Sequence, residues 1–109
     1  GSFLISVKDA QPYLQGYRLL LSIGNPSAAN FDGFEIKAKW GKKPQAMTQE
    51  DFVLWKKSLR EKINSFSEKL LAGRWTEVAL ILTPASADEL GYIEVRMNAD
   101  KLSLGSPIP

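Results

Sequence analysis

The 109 residues contain no cysteine and no histidine. No disulfide framework, thiol nucleophile or Cys/His zinc site is therefore open to the chain. No Ser-His or Cys-His catalytic pair can form, because the usual general base is missing. Long apolar runs are missing too. Nothing approaches the roughly 18 consecutive apolar residues of a membrane span, and no signal peptide is present. The phosphate-binding patterns G-x-G-x-x-G and G-x-x-x-x-G-K-[ST] do not occur, and Gly41-Lys42-Lys43 lacks the earlier glycine of the second. No G-x-S-x-G elbow and no calcium loop of alternating acids exists. No catalytic, cofactor-binding or metal-ligating residue is expected, and an enzyme is not expected.

What is present is globular: 44% apolar, 24% charged and 10% aromatic residues. Length and composition fit one domain. We place it at residues 3–104, with Gly1-Ser2 read as a cloning scar and 105–109 as a loosely held tail. The natural chain is thus expected to begin further upstream.

Net charge is +2, too small to argue for nucleic acid. Its distribution is uneven. From Lys37 to Lys62 eight bases stand against three acids, a segment of +5 that leaves −3 elsewhere. A basic face of this kind suits an acidic partner or an anionic surface, or keeps the domain soluble. Lys37, Lys39, Lys42 and Lys43 are the candidate partner surface.

Period-two alternation marks strands at Phe3 to Asp9, Tyr17 to Ile23 and Tyr92 to Met97. Gln11-Pro12 and Gln15-Gly16 bracket a turn, and Gly24-Asn25-Pro26-Ser27 ends the second strand. Asp32-Gly33 reads as another turn. The cleanest alternation follows it, with Phe34, Ile36, Ala38 and Trp40 inward and Glu35, Lys37 and Lys39 outward. Trp75 to Leu82 is a near-continuous apolar run, typical of a strand buried on both faces. Trp40 or Trp75 is the candidate core aromatic. Pro84 to Leu90 suits one helical turn closed by Gly91, and Asn98-Ala99-Asp100 a hairpin turn into Lys101 to Leu104.

The middle admits two readings. Thr48 with Asp51 resembles a helix cap. Phe52, Trp55, Leu59, Ile63, Phe66 and Leu70 recur at helical spacing, which favours one amphipathic helix over 49–71. Asn64-Ser65 and Ser67 are poor helix-interior residues. They favour a short helix to Leu59 and then a strand from Arg60 to Phe66.

The acid pairs Glu50-Asp51 and Asp88-Glu89 fall at expected helix starts, where they complement the helix dipole. Trp40 near Lys39, Lys42 and Lys43, and Trp55 beside Lys56 and Lys57, have the composition of a stacking site for bases or sugars. Both tryptophans fall on the apolar side of their patterns, which assigns them to packing.

Six or seven short strands in this length predict a mainly β domain, a small immunoglobulin-like antiparallel sandwich without a disulfide and with one short helix mid-chain. The runs Gly16 to Ser27, Gly33 to Gly41, Leu70 to Trp75, Val78 to Pro84 and Gly91-Tyr92-Ile93 together resemble the YajI-like family of bacterial lipoproteins, whose function is unknown. The strand ending in Asn25-Pro26 is also similar to water-stress β-sandwich domains. The lipoprotein resemblance implies a periplasmic domain tethered to a membrane only through a lipidated cysteine upstream. It brings no catalytic residues, and it selects the helix-then-strand reading of the middle. It implies a non-catalytic domain that interacts with a cell-envelope protein. The alternatives are a small-ligand binder with a pocket between sandwich and helix, or a water-stress protective domain.

Overall fold

The structure, a computed structural model, describes residues 2–45 and 48–100. Six strands form two antiparallel three-stranded sheets. β1 (Leu4–Tyr13), β2 (Gly16–Gly24) and β5 (Trp75–Leu82) make the first, in the order β1-β2-β5. β3 (Phe31–Gly41), β4 (Arg60–Leu70) and β6 (Tyr92–Asn98) make the second, in the order β4-β3-β6. This is the immunoglobulin-like division, with strands one, two and five opposed to strand three and its neighbours. The expected last strand, Lys101 to Leu104, lies outside the described residues.

The core sits between the central strands. Leu19, Leu21 and Ile23 of β2 face Phe34, Ile36, Ala38 and Trp40 of β3, and Val78, Leu80 and Leu82 of β5 complete the layer. Each such Leu, Ile or Val contributes about 1.5–3 kcal/mol by leaving water. Trp40 is the core tryptophan. Its Nε1–H donates to the Pro84 carbonyl at 3.0 Å, so its one polar group is satisfied where it is buried.

The middle segment is a short helix followed by a strand, as the resemblance implied. α1 runs Gln49–Ser58, and the Thr48 hydroxyl accepts the Asp51 N–H at 3.2 Å. Leu59 is extended, with φ −67° and ψ 139°, and β4 starts at once. The strand continues four residues past the expected Phe66, to Leu70. The helical spacing was misleading because β4 is an edge strand. Only Leu70 in it is buried, and its inward positions hold Lys62 and Asn64 opposite Ala38 and Ile36. An inward lysine on an edge strand disfavours unwanted pairing.

Three further expectations are corrected. Asp32-Gly33 is not a turn but a bulge inside β3, where the register with β4 shifts and Gly33 takes φ +75°. β1 passes the expected turn at Pro12 and reaches Tyr13, with Lys8 bulged out opposite β2. An outer strand tolerates Pro12 because one row of its backbone groups needs no partner. β5 is not buried on both faces. It is a sheet edge, and Trp75 at its start is 59% exposed.

One 3-10 turn, Ala87–Leu90, precedes β6. The Glu89 carboxylate accepts the Ser86 N–H at 3.1 Å, closing a capping box. The β2–β3 and β4–β5 connections are joined through Asn25. Its side-chain amide donates to the Ala29 and Leu70 carbonyls at 2.8 and 3.0 Å, and its Oδ1 accepts the Ser27 N–H and hydroxyl.

Candidate interaction face

Alternation along β3 turns Glu35, Lys37 and Lys39 to the outer face of the second sheet, because Phe34, Ile36, Ala38 and Trp40 are held in the core. The register places Ser65, Ile63 and Glu61 of β4 beside them on one side, and Asn98, Arg96 and Glu94 of β6 on the other. Lys37 and Lys39 are half-buried neighbours on this face. Lys42 and Lys43 are exposed and lie past the end of β3, so the structure divides the four lysines between a sheet face and an adjoining loop.

The Glu61 carboxylate stands between Lys37 and Lys39, 3.6 Å from each ammonium. Glu94 lies directly opposite Lys39. Three acids (Glu35, Glu61, Glu94) thus meet three bases (Lys37, Lys39, Arg96) on one face. The count of +5 along the chain does not become one basic face. Lys62 sits at an inward register position of β4, while Lys56 and Lys57 lie on α1. Exposed Ile63, beside Lys37, and the shallow 210 Å³ cavity it lines make the centre of the face partly apolar.

The loop carrying Lys42 and Lys43 is held in place. Trp55 Nε1–H donates to the Lys42 carbonyl at 2.8 Å, and the Trp55 ring stands edge-on to Tyr92 at 4.9 Å. Gly91 lies so close to Lys43 that a Cβ there would come within 2.8 Å of the Lys43 nitrogen. Two loops and α1 thereby form one end of the sandwich.

Glu94 accepts the Tyr92 hydroxyl at 2.8 Å and Arg96 Nε at 3.0 Å. The tyrosine hydrogen bond, then the arginine, lower the Glu94 pKa, and the same bond raises that of Tyr92. Glu89 is lowered first by the Ser86 N–H and next by Arg60, whose Nε lies 2.9 Å from its carboxylate. These are surface networks, and the Ser86 hydroxyl also donates to the Glu89 carboxylate at 3.3 Å. No group of three or more His, Cys, Asp or Glu placed to hold a metal occurs among the described residues. No helix there is long and apolar enough to cross a membrane. Shallow cavities lie along Asp32 to Glu35 and beside Trp75, and α1 lines neither.

Fold and face together define a small β-sandwich of immunoglobulin-like strand order. Solved structures that share it include two lipoproteins. The trimeric lipoprotein SadB of Salmonella enterica is similar with a TM-score of 0.79 and 23% identity, over 88% of this chain and 50% of that one. The uncharacterized lipoprotein YajI of Escherichia coli is similar with a TM-score of 0.63 and 16% identity, over 96% of this chain and 58% of that one. The likeness is one of fold, and it agrees with the resemblance to YajI-like lipoproteins. The chain spans half to three-fifths of the length of these neighbours. No family model matches the sequence, and no curated protein does. Neither neighbour is named for a catalytic activity.

Proposed function

We propose that the chain is the folded domain of a cell-envelope lipoprotein, anchored through an upstream lipidated cysteine and facing the periplasm. In this reading it is non-catalytic and meets an envelope protein through the outer face of the second sheet, with Lys37 and Lys39 at its centre and Lys42 and Lys43 at its rim. The observation that carries the reading is the likeness over most of the chain to two domains that both belong to lipoproteins. Support for the face comes from exposed Ile63 set among bases and acids. Such a face gives a partner an apolar contact ringed by specifying charges.

Mass spectrometry of the amino terminus of the protein from its native cell tests the anchor. A diacylglyceryl-modified cysteine is expected, and an unmodified terminus rejects the lipoprotein reading. Crosslinking in whole cells tests the face. The variant with all four lysines changed to glutamate should lose its envelope crosslinks while melting close to wild type, and unchanged crosslinks reject this surface. SadB is trimeric. Light scattering on the native full-length protein distinguishes a shared threefold assembly from a single copy.

A further inference from the structure

Trp75 is the tryptophan that the fold leaves in the open. It begins β5 on the outer face of the first sheet, in a cross-strand row with Gly24 and Leu4. Its six-membered ring lies over Gly24, with three ring carbons 3.0 Å from where a Cβ on that glycine would stand. A side chain at position 24 would lift the indole off the sheet, and glycine lets it lie down. Trp75 is 59% exposed and Leu4 52%. The Nε1–H groups of Trp40 and Trp55 donate to backbone carbonyls. Trp75 makes no such bond among the described residues.

The next row along the same face is polar. Ser6, Ser22 and Glu77 pair across β1, β2 and β5, two residues from the Leu4–Gly24–Trp75 row. That separation is about 7 Å along a strand. With Lys8 they line a 460 Å³ depression bounded by Trp75. Ser22 is only 6% exposed and lines the floor of this depression.

We propose that this face binds a neutral glycan, with one pyranose ring stacked on Trp75 and its hydroxyls reaching Ser6, Ser22 and Glu77. The axial C–H groups of a pyranose present a flat apolar face to an aromatic π-surface, while its rim carries donors and acceptors. The site offers the matching pair: a flat apolar platform with a free N–H, and beside it two hydroxyls, a carboxylate and an ammonium. Lys8 and Glu77 balance in charge, which favours an uncharged ligand over an anionic one. The site is shallow, so the affinity should be on the order of millimolar. The inference is independent of the lysine face and of the lipid anchor.

The test is a titration of the 15N-labelled chain with tri-N-acetylglucosamine, cellotriose and maltotriose, read at the three indole N–H signals. At least one sugar should give a saturable shift of the Trp75 signal, with the Trp40 and Trp55 signals unmoved. Trp75→Leu keeps an apolar cover on Gly24 but removes the π-face, and should weaken binding at least tenfold. Ser6→Ala with Glu77→Ala alters only exposed side chains and should weaken binding severalfold even if Trp75→Leu folds poorly. Absence of a saturable shift with all three sugars overturns the proposal. So does binding that survives the Ser6/Glu77 double substitution. A Trp75 shift produced only by anionic phospholipid vesicles also overturns it and assigns the patch to a membrane surface.

Discussion

The side-chain amide of Asn25 donates to the Leu70 carbonyl at 3.0 Å, joining the end of β2 to the end of β4 across 45 residues of sequence. Asn25 is 2% exposed, and both its donors and its acceptor are used. Its backbone is bound as well, with its N–H on the Arg74 carbonyl and its C=O accepting from Gly73. Removing the side chain strands several buried partners at once, each costing about 1–3 kcal/mol. Asn25→Ala should therefore lower unfolding free energy by about 2–4 kcal/mol. Asn25→Asp should fare no better, since a carboxylate cannot donate to two carbonyls. Urea unfolding of the two variants checks both outcomes.

Trp40 contributes packing and one hydrogen bond, and the two are separable. Trp40→Phe keeps most of the apolar bulk but leaves the Pro84 carbonyl without its indole donor. A loss of about 1–3 kcal/mol is expected for the unpaired carbonyl and the small void. Trp40→Ala should cost more, about 3–5 kcal/mol. Equal losses in the two variants would mean that the indole hydrogen bond carries the whole effect.

Gly16 opens β2 under a steric constraint that no side chain can meet. A Cβ there would stand 2.0 Å from the Leu82 carbonyl oxygen, a backbone atom of the paired strand. Relief requires β2 and β5 to separate at that end. Gly16→Ala should cost more than about 3 kcal/mol or prevent folding. Gly73→Ala meets nothing within 4 Å and bears only its φ of +70°, so its cost should be about 1 kcal/mol. The ratio of the two costs, from denaturant midpoints, is the check.

Legibility followed the number of neighbours a strand has. β3 is central, so its period-two pattern had to be clean, and its inward and outward residues were read correctly. Edge strands β5 and β6 were placed, with the bounds expected for β5 and one residue short for β6, but the burial of β5 and the middle segment were read less well. β4 carries lysine and asparagine at inward positions, so its residual apolar spacing imitated a helix. β5 has an apolar sequence because Ala79 and Ile81 cover the outer face of the sheet, and that run gave no sign that Trp75 lies open. The bulge at Asp32-Gly33 shares its residues with a turn, and only the register with β4 distinguishes them. For the lysine face, the count along the chain missed Glu35 and Glu94, which the fold brings beside Lys37 and Lys39. The Trp75 platform depends on Gly24 and Ser22, far off in sequence, and no local pattern announces it.

Glu61 holds two lysines at 3.6 Å in an exposed setting. Pairs of this kind contribute about 0–1 kcal/mol, because water screens them and the side chains lose freedom. Glu61→Gln should leave the melting temperature nearly unchanged while freeing Lys37 and Lys39. Retention on a cation exchanger should rise, and crosslinking to an acidic partner with it. A large drop in stability would show that the face is a structural network rather than a contact surface.

Glu89 closes the capping box with Ser86 and receives Arg60, so its folded pKa lies below the ordinary 4.5. A carboxyl depressed in the folded state adds stability above its unfolded pKa, and loses it as pH falls through the folded value. The contribution is full at neutral pH, begins to decline near pH 4.5, and is gone once the folded carboxyl is protonated. Glu89→Gln retains an acceptor for the Ser86 N–H but removes the charge. Its melting temperature should trail wild type at pH 7 and approach it on acidification to below the folded pKa. Parallel melts across that range at fixed ionic strength measure the gap. A gap that stays constant with pH would assign the role of Glu89 to hydrogen-bond geometry alone.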